Sequence, residues 1–134
     1  MTGMRLRAMI AADSGSAVAE FVMVVSLLTV LTLSVMQLAL ALHIRNTVLD
    51  AAAEGARFAA LAGSGPDEGA ARTRDLITAA LGPSYARDVE AGYGRFGDHR
   101  SAEVRVIAPL PLLGLIGPDR GLEVVGHAAV EATG

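Results

Sequence analysis

From Phe21 to Leu42 the chain reads FVMVVSLLTVLTLSVMQLALAL, 22 positions without a charge. At about 1.5 Å of rise per residue, such a stretch makes a helix of roughly 33 Å. A bilayer core of about 30 Å is crossed by roughly 20 apolar residues. The polar members are Ser26, Thr29, Thr32, Ser34 and Gln37, and short hydroxyls in such a setting bond back to their own helix or across to another. The pattern predicts a membrane-spanning helix. The competing reading, a buried helix of a soluble protein, needs apolar cover on every side, and aromatic residues make up only 4% of the chain.

Beyond Ile44 the helical pattern continues to about Ala62 with a different face. Val48, Ala52, Gly55, Ala59 and Ala62 recur at spacings of 4, 3, 4 and 3, a heptad-like seam of small residues. Asn46, Asp50, Glu54 and Arg57 fall on another side, where Glu54 and Arg57 are placed to pair. The seam is expected to pack on the chain's own C-terminal sheet in preference to a helix of another subunit. Gly63-Ser64-Gly65 ends this helix, and Pro66, Asp67 and Glu68 suit the start of a second. Glu68 and Arg72 are expected to pair; Ala70, Ile77, Ala80 and Leu81 form the predicted apolar side, and Gly82-Pro83 closes the element.

The period then changes to two. Asp88 to Phe96 is a strand interrupted by Gly92 and Gly94. Ser101 to Ala108 alternates Ala102, Val104 and Val106 against Glu103 and Arg105. Pro109 and Pro111 stop ladder pairing. Leu110, Leu112, Leu113, Leu115 and Ile116 make an apolar loop, expected to cap the core or to dock a neighbour. Gly121 to Thr133 is a last strand. The predicted class is α+β: a long N-terminal transmembrane helix continuing into a small extracytoplasmic domain, with a second helix and a short antiparallel sheet.

Composition narrows the function. A chain of 134 residues has room for one small domain beside the span. The net charge of -3, with all 11 basic residues scattered arginines, argues against nucleic acid as a partner. Cysteine is absent, which removes disulfides, thiolate metal sites and a cysteine nucleophile. Arg5 and Arg7 precede the span and Arg45 follows it, so the positive-inside rule places the N-terminus in the cytoplasm.

Two cleavage sites are legible. Ala39-Leu40-Ala41 suits a signal peptidase, which would release a secreted binding module. Gly15-Ser16 lies ahead of the apolar stretch; a cut there removes the basic leader and keeps the span. Glu20 would then be the fifth residue of the mature chain, within about one helical turn of the new amino group.

Gly15-Ser16-Ala17-Val18-Ala19-Glu20-Phe21 resembles the processing site of type IV prepilin-like proteins. The later run Glu54-Gly55-Ala56-Arg57-Phe58 resembles the E-G-A-R-aromatic segment of the TadE-like proteins of tight-adherence (Flp-type) pilus systems. The resemblance implies a leader over residues 1–15, a transmembrane helix over 16–44 and an extracytoplasmic α+β domain over 45–134. It implies cleavage after Gly15 by a prepilin peptidase and residence in the cytoplasmic membrane. Glu20 and Phe21 would act in assembly with other pilin-like subunits and pilus assembly proteins, membrane lipid being the remaining partner. An uncleaved single-pass scaffold or sensor is the alternative.

Other chemistry has little support in the sequence. Gly92-Tyr93-Gly94-Arg95-Phe96-Gly97 fits G-x-G-x-x-G, but a dinucleotide site needs that motif between a strand and a helix, and a glycine-rich hairpin is expected. His43, His99 and His127 lack metal-ligand spacing. No cofactor is implied, and an enzyme is not expected.

Overall fold

The computed structural model describes residues 2–111 and 120–131. Helix α1 runs unbroken over Thr2–Ala60, followed by α2 over Pro66–Leu81 and a single 3-10 turn over Pro83–Tyr85. Strands β1 (Asp88–Phe96), β2 (His99–Ala108) and β3 (Leu122–Ala129) form one antiparallel sheet in the order β1-β2-β3. The chain divides into two compact units, Met1–Met36 and Gln37–Gly134.

The first unit is helix alone. Every described side chain from residue 3 to residue 36 is exposed, among them Phe21, Leu27, Leu31 and Met36. The hydroxyls of Thr29, Thr32 and Ser34 donate to the carbonyls of Val25, Leu28 and Val30 at 2.8, 2.8 and 2.7 Å. These groups are therefore satisfied without water, as an apolar surrounding demands. The helix is long and apolar enough to cross a membrane.

The second unit owes its core to the change of period at Ile44. There α1 presents Ile44, Val48, Ala51, Ala52 and Ala56 to the interior. They meet Ala70 and Ile77 of α2, and Val89, Val104, Val106, Ala108, Leu122 and Val124 of the sheet. Each fully buried valine, leucine or isoleucine contributes about 1.5–3 kcal/mol, and each alanine methyl about 0.8 kcal/mol. The small residues bring backbones close. A Cβ on Gly126 of β3 would strike the Ala52 and Ala53 backbone of α1. A Cβ on Gly55 would strike the Thr73 side chain and lie 2.7 Å from the Gly69 carbonyl oxygen of α2. Packing of α1 thus involves the chain's own sheet, as expected, and also its own α2.

Several expectations need correction. Ala62 lies beyond the end of α1 and is exposed, because the helix stops at Ala60 and the turn that follows carries Gly63 at φ 85. Ala80 is exposed as well; α2 buries Gly69, Ala70, Thr73 and Ile77, the face set by its close crossing with α1. Among the described residues no ion pair joins Glu68 to Arg72, both side chains being turned to solvent. The last strand is shorter than the pattern suggested and ends at Ala129, with Val130 N–H still donating to the Arg100 carbonyl. Leu112, Leu113, Leu115 and Ile116 of the apolar loop, and Thr133, lie outside the described residues; Leu110 packs half-buried against the core.

The strands otherwise follow their alternation. Gly97, at φ 62, and Asp98 form the two-residue turn between Phe96 and His99, and a positive φ at the first turn position matches the twist of a hairpin. The G-x-G-x-x-G run is therefore strand and turn, with β2 following it where a dinucleotide site needs a helix.

Candidate functional site

The residues singled out at the processing site, Gly15, Ser16, Glu20 and Phe21, all belong to α1 and are all exposed. A Cβ on Gly15 would meet nothing within 4 Å, so packing within the chain does not demand glycine there. Glu20 stands directly before the apolar run. Among the described residues no cation lies within ion-pair distance of it. A carboxylate at that border is costly if drawn into lipid and favourable once it finds a positive partner.

The second set, Glu54 to Phe58, lies in the other unit and divides by role. Gly55 lies where α1 and α2 approach closely, against Gly69 and Thr73. The buried Thr73 hydroxyl closes that crossing, donating to the carbonyls of Gly69 at 2.9 Å and Ala51 at 3.3 Å. Ala56 is wholly buried. Glu54 and Arg57 pair at 3.3 Å on the outer surface, where such a contact contributes about 0.3–0.5 kcal/mol. Phe58 is part-exposed at 37%. The motif is thus mainly a packing device with an exposed rim.

The structure also assembles a group that sequence reasoning missed. On the outer face of the sheet, Glu103 and His127 stand opposite each other in the β2–β3 register, with Oε1 and Nε2 3.4 Å apart. The Phe96 ring lies 5.3 Å from that of His127. Ser101 is on the same face, its Oγ buried and, among the described residues, without a hydrogen-bond partner. Serine, histidine and glutamate on one face invite a nucleophilic reading, but an activated serine needs its hydroxyl bonded to the base, and here His127 Nε2 faces Glu103. Only the strand register reveals this cluster; the alternation of Ser101 and Glu103 in β2 was its one local signal. Among the described residues no three His, Asp or Glu side chains converge closely enough to hold a metal ion.

Comparison with known proteins agrees with the resemblance seen in the motifs. The family model described as TadE-like protein matches residues 15–57. That span takes in Gly15, Glu20, the apolar stretch and the first four residues of the Glu54–Phe58 run, while α2 and the sheet lie beyond it. Neither the curated proteins nor the solved structures give a match.

Proposed function

We propose that this chain, similar to TadE-like proteins over residues 15–57, is a pilin-like membrane subunit. It serves the assembly of a tight-adherence pilus or a related secretion complex. A prepilin peptidase cuts after Gly15 on the cytoplasmic side. Residues 16–44 then hold the chain in the cytoplasmic membrane, and residues 45–134 work outside it. The observation that carries this reading is the largely exposed apolar stretch Phe21–Leu42 standing directly behind a Glu20 that, among the described residues, is in no ion pair.

Cleavage gives Glu20 its partner. The new amino group of Ser16 is a cation, and a neighbouring subunit brings a second one to the same depth. Pairing a carboxylate with that amine offsets the cost of taking either into lipid, and it fixes how far one helix is advanced against the next. Glu20→Gln removes the charge and keeps the shape. In the native host the variant is expected in the membrane fraction at the normal level. Assembled surface pili should fall at least about tenfold, the equivalent of about 1.4 kcal/mol of lost pairing. Normal piliation by the Glu20→Gln chain would overturn the role given to Glu20.

A further inference from the structure

The β1–β2 hairpin gathers two arginines at its tip. Arg95 and Arg100 are direct cross-strand partners and share one face of the ribbon, where like charges set opposite each other destabilise the pair. Arg100 is further held over the Tyr93 ring, 4.6 Å from its centroid. Both guanidiniums are exposed, and among the described residues neither belongs to an ion pair. With Asp98 of the turn they line an open hollow of about 480 Å³, two guanidiniums against one carboxylate. Two cations kept together at such a cost suit an anionic partner.

The same unit presents acidic groups elsewhere. A groove of about 470 Å³ between α1 and α2 is lined by Thr47, Asp50, Glu54, Arg57, Leu76 and Ala80, two carboxylates against one guanidinium. Asp50 is exposed and, among the described residues, in no ion pair. Glu54 is held only by Arg57 of its own helix.

The two surfaces lie at the same level. Phe96, His99 and Arg100 line a hollow together with Leu49 and Ala53 of α1, which puts the hairpin tip beside the stretch of α1 that carries Asp50 and Glu54 on a different side. Copies standing side by side with their α1 helices parallel would hold tip and groove at one depth, where the opposite charges can meet.

We propose that the Arg95–Arg100 hairpin tip docks into the Asp50–Glu54 groove of a second copy of this chain. The contact joins two different surfaces, so it repeats from copy to copy and builds rows where a twofold dimer would stop at two. It rests on the membrane reading above only for the parallel placement of the copies.

The absence of cysteine allows a direct test. Two populations of the full-length chain, one Asp98→Cys and one Ala80→Cys, are mixed in lipid vesicles and joined with a short thiol cross-linker. A specific 98-to-80 product is expected. Reversing charge on one side, Arg95→Glu with Arg100→Glu, should lower its yield at least about fivefold, and Asp50→Arg in the other population should bring it back within about twofold of the original. The neutral pair Arg95→Gln with Arg100→Gln is expected to lower the yield in the same direction and serves if the reversed pair misfolds. A yield indifferent to these changes, or a charge swap that restores nothing, overturns the contact. Vesicles need no pilus machinery, so failure here is distinct from failure of the assembly role, which piliation measures.

Discussion

Gly55 is where one atom decides most. Adding a Cβ there pushes into Thr73 and the Gly69 carbonyl, and the obstacle is partly backbone, which cannot swing aside. Gly55→Val is therefore expected to lower the unfolding free energy of the full chain in detergent by about 1–3 kcal/mol, the usual cost of overpacking. Urea titration followed by circular dichroism checks this. Gly92→Val is the control, since a Cβ there meets nothing within 4 Å, and its stability should match or exceed that of the original. Equal stability of the two variants would contradict the close-crossing account. The sequence showed Gly55 as a member of a small-residue seam; it did not show the other half of the contact. Gly69 and Thr73 are not large aliphatics, so hydrophobic periodicity passes over them, and it selects Ala80, which lies exposed in the groove between α1 and α2. Likewise Glu103 and His127 are distant in sequence and meet only through strand register.

At the scale of elements, the hydrophobic pattern was the more reliable guide. The start of α2 at Pro66, its end before Gly82, and the end of β2 before Pro109 all follow from residues that fix or forbid a backbone conformation. β1 runs through two glycines that sequence reading counts as interruptions, because pairing along all nine of its residues with β2 overrides weak local preference. The apolar stretch of α1 has a testable consequence of its own. With its apolar side chains exposed, Phe21–Leu42 is expected to require lipid. Leu28→Arg with Leu31→Arg places two charges near its centre, at about 2.5–3.5 kcal/mol each. Alkaline extraction should then move the chain from the membrane pellet to the supernatant, where the original stays in the pellet. Retention of the doubly charged variant would contradict a span at this position.

For the whole molecule, the segment similar to TadE-like proteins covers α1 from Gly15 to Arg57, and α2 and the sheet supply the layer against which its seam packs. Core and motif are thereby joined. Val48, Ala52 and Ala56 face inward while Asp50 and Glu54 face a groove, so one helix serves the candidate span, the core and a charged surface. The central claim is that the chain enters the membrane with a leader and works there without it. It is tested most directly by the intact mass and N-terminal residue of the protein purified from its native membrane. The account predicts a chain beginning at Ser16. A chain beginning at Met1 would contradict processing and leave Glu20 without its amine, and one beginning at Leu42 would remove the span altogether.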